Sequence, residues 1–179
     1  MKGLLFFFLV APFISFSQTA QDSVISFTEV VRCDSIKKEE LFVKARQWFN
    51  ASFKDARSVV RIADKETGEI VAKGIVISQH WYKALGKENK IPILYEADIA
   101  IYVKDGRYKY EFKNFIDIEE SSIKYTGPLT TAKAYPAKGY RNKVIMDKIW
   151  NSQKEEIAIT ISELVVGLKS YMSKPADDF

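Results

Sequence analysis

The chain has 179 residues, with 27 Lys and Arg against 23 Asp and Glu for a formal charge of +4, and 47% of its residues are hydrophobic. That composition suits one folded domain with apolar material for a core of its own. It excludes a disulfide framework, because Cys33 has no partner in the chain and reads as a small buried hydrophobe.

Lys2, the apolar run Leu4 to Ile14 and the small residues Ser15 and Ser17 form the pattern of a secretory signal peptide, with cleavage expected after Ser17. The run is shorter than a membrane span, and without a cysteine at the cleavage site a lipoprotein anchor is not expected. Since residues 1–17 carry only Lys2, the remaining 162 residues (179 − 17) hold a charge of +3. Residues 18–23 form a short N-terminal segment, 24–172 a single domain and 173–179 a fraying tail. The expected location is the periplasm or the extracellular space.

Residues 24–33, VISFTEVVRC, are rich in β-branched side chains and predict a first strand. From Ser35 the period changes. Leu41, Ala45, Trp48, Phe49 and Phe53 recur at helical spacing, so residues 36–53 predict an amphipathic helix capped by Asp34 or Ser35, its aromatic face turned to a sheet. SVVRIAD and EIVAKGIVIS follow as two strands around a turn closed by Gly68, and the polar, interrupted residues 80–91 read as a loop.

Asp105-Gly106 is a two-residue hairpin turn, and it sets a register in which paired residue numbers sum to 211. Val103 then faces Tyr108, Ile101 faces Tyr110 and Ile99 faces Phe112 on an apolar side. Tyr102 faces Lys109, Ala100 faces Glu111 and Asp98 faces Lys113 on a polar side, the last as an ion pair. A long irregular connection leads to a helix from about Asn142, with apolar positions Ile145, Ile149, Ile157, Ile161, Leu164, Val165, Leu168 and Met172, ending before Lys174-Pro175.

The order is β-α-β-β-β-β-α. An antiparallel sheet with one apolar face needs a cover, and the two helices hold the only long apolar stripes. The expected fold is therefore α+β, a curved antiparallel five-stranded sheet with two helices on one face. This order is that of the TATA-binding protein fold. The helix with Trp48-Phe49, the segment TGEIVAKG from Thr67 to Gly74 and the segment VKDGRYKYEF from Val103 to Phe112 resemble domain-of-unknown-function family 4468, over roughly residues 24–172. The resemblance implies a TATA-binding-protein-like domain, exported or envelope-associated, with no assigned activity or catalytic residues. Nucleic acid is not an expected partner, because binding of DNA by that fold uses a doubled domain and intercalating side chains.

His80, the only histidine, stands in SQHWYK with no nucleophile motif such as G-x-S-x-G in the chain, and reads as a surface or strand-end residue. Glu96 and Asp98 share a strand face, as a glycosidase pair would, but the hairpin register assigns Asp98 to Lys113. Zinc would need carboxylates to complete its ligands, and no phosphate-binding loop occurs, so no metal or cofactor is expected. The sequon Asn50-Ala51-Ser52 lies within the predicted helix.

Between Ser121 and Met146 no acidic residue occurs, while Lys133, Lys138, Arg141 and Lys143 alternate with Tyr135 and Tyr140. Basic charge with interleaved rings is one way to hold an anionic polymer or glycan. The plainer reading is a solvated loop whose tyrosines pack onto the sheet edge. The expectation is an exported, non-catalytic module binding an envelope protein, glycan or lipid. The alternatives are a hydrolase using carboxylates and His80, or a structural assembly protein.

Overall fold

The computed structural model describes residues 22–84, 86–118, 125–138 and 141–174. The stretch expected to be a signal peptide, the start of the N-terminal segment and the last tail residues lie outside them. The elements are β1 (Ser26–Arg32), α1 (Lys38–Ser52), a one-turn α2 (Ala56–Val59), β2 (Val60–Asp64), β3 (Glu69–Ala84), β4 (Lys87–Lys104), β5 (Arg107–Asp117) and α3 (Lys143–Ser173). All five strands form one antiparallel sheet in the order β1-β5-β4-β3-β2.

The expected hairpin register holds from Lys104↔Arg107 to Asp98↔Lys113. Val103, Ile101, Ile99, Tyr108, Tyr110 and Phe112 are all buried on the face that α1 and α3 cover. From α1 come Leu41, Trp48 and Phe49, and from α3 come Ile157, Ile161, Leu168 and Met172. The rings of Trp48 and Phe49 meet edge to face at 4.9 Å, and Trp48 meets Phe112 at 6.2 Å. The aromatics Trp48 and Phe49 of α1, with Phe53 just past its end, thus fill the space between helices and sheet.

Several details depart from the sequence expectations. The stretch read as a loop at 80–91 is strand: β3 and β4 pair without a break from Glu69↔Tyr102 to Ala84↔Lys87, with Gly86 at φ 76° in the turn. Residues 86–88, 90 and 91 of this stretch are exposed, so no buried apolar face marks them as strand in the sequence. Neither Asp34 nor Ser35 caps α1. The first-turn N–H of Lys38 instead donates to Asp105 Oδ1 at 2.9 Å, so the hairpin turn caps the helix across 67 residues of sequence. Ser58 and Val59 belong to α2, whose first turn Asp55 caps through the Ser58 N–H. On α3, Ile145 is exposed, whereas Trp150 and Gln153, outside the expected stripe, are buried.

The Asp98–Lys113 ion pair does not form, although the two residues are opposite each other. Asp98 accepts from Asn114 Nδ2, and Lys113 lies 3.4 Å from Glu111. The cause is a bulge. Phe112 and Phe115 stand three apart, so strict alternation would turn one of them to water; a register shift between Glu96 and Asp98, with Asn114 at φ 58°, buries both completely. Asparagine tolerates that left-handed conformation better than most residues.

Three carboxylates tie the elements at the surface. Glu29 of β1 accepts from Lys169 of α3 at 2.8 Å and from the Tyr110 hydroxyl at 2.6 Å, and these bonds hold its pKa below the usual carboxylate range. Asp64 is lowered by backbone N–H groups of its own turn, and Asp147 by Lys143 and then the Tyr135 N–H. A depressed folded pKa means that the unfolded chain takes up protons first as pH falls. The stability from these groups is complete above the unfolded carboxyl range, at about pH 4, and is lost as pH drops through the lower folded values. A thermal-shift series should therefore be flat from neutral pH to about pH 5 and fall below about pH 4. The combined Glu29→Gln and Asp147→Asn variant should flatten that fall.

Candidate functional site

The acid-free connection is stitched to the start of α3 by its own backbone. The Ala132 carbonyl accepts from Trp150 Nε1 at 2.9 Å, the Lys133 carbonyl from Asn151 Nδ2 at 2.8 Å, and Asp147 Oδ1 takes the Tyr135 N–H at 2.8 Å. Tyr135 is buried, its ring 5.7 Å from Trp150 and 6.2 Å from Tyr125, so it packs on the helix rather than on the sheet edge. Lys143 reaches Asp147 at 2.7 Å, one turn along α3. Lys133, Lys138 and Arg141 remain exposed, and Tyr140 lies outside the described residues. The connection therefore brings Tyr135 and Lys143 to Asp147.

His80 is not at the surface. Its Nδ1 lies 3.2 Å from both carboxylate oxygens of Glu156 on α3, and the two side chains are each only 11% exposed. Ser152 Oγ donates to Glu156 Oε1 at 3.0 Å. A nucleophilic relay needs the imidazole between hydroxyl and carboxylate, so that the ring takes the hydroxyl proton. Here the carboxylate is in the middle, an order that suits a tie between β3 and α3. Nearby Tyr95 has its hydroxyl pKa pushed up by burial and then by the charges of Asp117 and Glu156, which keeps it a neutral phenol. Among the described residues no group of three His, Cys, Asp or Glu side chains is placed to hold a metal ion.

A different feature has the shape of a binding site. β2 pairs with β3 only from Val60↔Ala72 to Asp64↔Glu69, so from Lys73 onward β3 has β4 on one side and, among the described residues, no strand on the other. Beside this edge a cleft of about 380 Å³ opens between the end of α1, β3 and α3, lined by Trp48, Phe53, Val76, Thr160 and Leu164. Ile75 and Ile77 stand at its mouth, 40% and 55% exposed. Gly74 lets the cleft exist in this form, because a Cβ there would lie 2.8 Å from the Phe53 ring. The sequence reading missed this edge by ending the strand at Ser78; the uncharged run Gly74 to Gln79, flanked by Lys73 and His80, was its available signal.

The architecture matches two crystal structures over most of the chain. One is of a TBP-like protein from Parabacteroides distasonis ATCC 8503, with a TM-score of 0.60 and 14% identity over 86% of this chain and 95% of that one. The other is of a DUF4468 family protein from Bacteroides ovatus ATCC 8483, with a TM-score of 0.56 and 12% identity over 87% of this chain and 90% of that one. At such identities the likeness is one of fold. No curated protein matches the chain. The model of the family described as "Domain of unknown function (DUF4468) with TBP-like fold" matches residues 27–116, which run from β1 through nearly all of β5. The chain belongs to the DUF4468 family.

Proposed function

We propose that the protein is an exported, non-catalytic binding module of the bacterial cell envelope, and that the free edge of β3 receives an extended segment of a partner protein. The observation that carries this reading is the edge of β3 from Lys73 to Gln79, which among the described residues has no strand beyond it and lies beside an apolar cleft. Exposed strand edges carry unpaired N–H and C=O groups, and folded proteins ordinarily blunt them with proline, lysine or a covering element. Residues 74–79, Gly-Ile-Val-Ile-Ser-Gln, contain none of these charges or prolines. An added strand would satisfy the edge by main-chain hydrogen bonds, while the cleft between α1 and α3 would take alternate side chains and supply selectivity. Export rests on the residue 1–17 pattern.

The test is selection from a displayed library of linear ten-residue peptides, followed by fluorescence anisotropy of those retained. The expectation is saturable binding that weakens at least about tenfold in Ile77→Lys, with backbone signals of residues 73–80 shifting in NMR spectra. Selected peptides that bind Ile77→Lys as well as the parent chain, or a chain that pairs with a second copy of itself through this edge, would sink the proposal. Export is checked separately: the chain expressed with its own N-terminus should be recovered outside the cytoplasm beginning at Gln18.

A further inference from the structure

The face of the sheet away from the helices holds a second, independent site. Register places Arg32 of β1 directly opposite Arg107 of β5, and Arg107 directly opposite Lys104 of β4. Three cations thus stand in one row across three strands, at lateral spacings of roughly 5 Å. In the next row Lys109 lies between Val30 and Tyr102, with its ammonium 5.6 Å from the Tyr102 ring centre. Like charges directly opposite one another weaken strand pairing. Two other cations of this face are neutralised: Lys73 meets Glu96 at 2.7 Å, and Lys113 meets Glu111 at 3.4 Å. None of Arg32, Lys104, Arg107 and Lys109 takes part in an ion pair among the described residues. Of the acids near the row, Asp105 accepts the Lys38 N–H and Asp34 lies on the turn beyond β1, while Glu69 stands opposite Tyr102 on β3, two strands away from Arg107 and three from Arg32.

The row borders a cleft of about 400 Å³ lined by Val30, Tyr102, Lys104, Arg107 and Lys109. Val30 is 58% exposed, an apolar floor beside four cations. We propose that this cleft binds a phosphate-bearing ligand, with the phosphate on the Arg32–Arg107–Lys104 row and its apolar portion against Val30 and Tyr102. Arginine forks match phosphate oxygens in paired hydrogen bonds. A phosphate monoester carries a charge of about −1.5 to −2 at neutral pH, and so relieves more of a three-cation row than a single carboxylate does. The site is on the opposite face from the β3 cleft and does not depend on the reading given for that cleft.

The probe is phenyl phosphate, followed by NMR shifts of the intact chain, with inorganic phosphate and phenol as its two halves. The expected result is saturable binding that shifts Val30, Tyr102 and Arg107 signals, at least about tenfold tighter than either half alone, and at least about tenfold weaker in Arg32→Ser and in Arg107→Ser. Both positions are exposed, and unchanged thermal midpoints would show that the variants are folded. Vesicles containing phosphatidic acid, whose headgroup is a phosphate monoester, against phosphatidylcholine alone distinguish the source: capture by the anionic vesicles, lost in the same variants, assigns the phosphate to a lipid headgroup. Phenyl phosphate binding without vesicle capture assigns it to a soluble ligand. Absence of saturable shifts at these residues, or binding indifferent to both arginine substitutions, overturns the site.

Discussion

Trp48→Ala should cost about 3–5 kcal/mol of unfolding free energy, enough to consume a large share of the roughly 5–15 kcal/mol that holds a domain folded. The indole is 1% exposed and touches Phe49, Phe53 and Phe112 edge to face, at 4.9, 5.9 and 6.2 Å between ring centres. It also meets α3 at Gly167, where a Cβ would lie 3.7 Å from Trp48 Nε1, an ordinary contact distance. One side chain thus joins α1, β5 and α3, so its removal opens a cavity that no single element can collapse to fill. Its Nε1 has no hydrogen-bond partner among the described residues. Trp48→Phe, which deletes that unsatisfied donor along with some volume, should therefore cost clearly less than the alanine change. Urea unfolding with a shifted midpoint and an unchanged slope is the check. A loss below about 1 kcal/mol for Trp48→Ala would mean that the two helices do not share a core with the sheet.

What could be read in the sequence follows the range of the interactions. The β4-β5 hairpin was legible in register because Asp105-Gly106 and the alternation around it are neighbours in the chain. Its bulge was not, although the odd spacing of Phe112 and Phe115 recorded it, because an alternation rule has no place for an extra residue. The cap of α1 comes from Asp105, and a local search for Ser, Thr, Asp or Asn near residue 37 cannot find it. The basic connection drew attention through composition alone; that Tyr135 turns to Trp150 depends on where α3 lies. The cation row shows the same divide. Lys104 and Arg107 face each other in the hairpin register, since 104 + 107 = 211, whereas Arg32 joins them only because β1 pairs with β5 at the far end of the fold. The His80–Glu156 tie, 76 residues apart in sequence, was equally out of reach.

Gly68→Ala should destabilise the protein by about 3 kcal/mol, far more than a one-carbon change at a surface turn ordinarily does. The β2-β3 turn is built by Asp64, whose Oδ1 accepts the Glu66 N–H at 2.8 Å and whose carbonyl accepts the Gly68 N–H at 2.9 Å. Gly68 leaves the turn at φ 76°, and its carbonyl takes the Val103 N–H at 2.8 Å, which anchors the turn against the end of β4. A Cβ at residue 68 would sit 2.4 Å from the Val103 carbonyl oxygen, and neither backbone can yield without breaking that anchor. Gly86 provides the comparison. It also has φ 76°, but a Cβ there meets nothing within 4 Å, so Gly86→Ala should cost only the left-handed backbone penalty of about 1–2 kcal/mol. The difference between the two variants, measured by urea unfolding in one buffer, isolates the clash with β4. Equal losses would show that the turn stands off from Val103, and with it the contact that closes the hairpin end of the sheet.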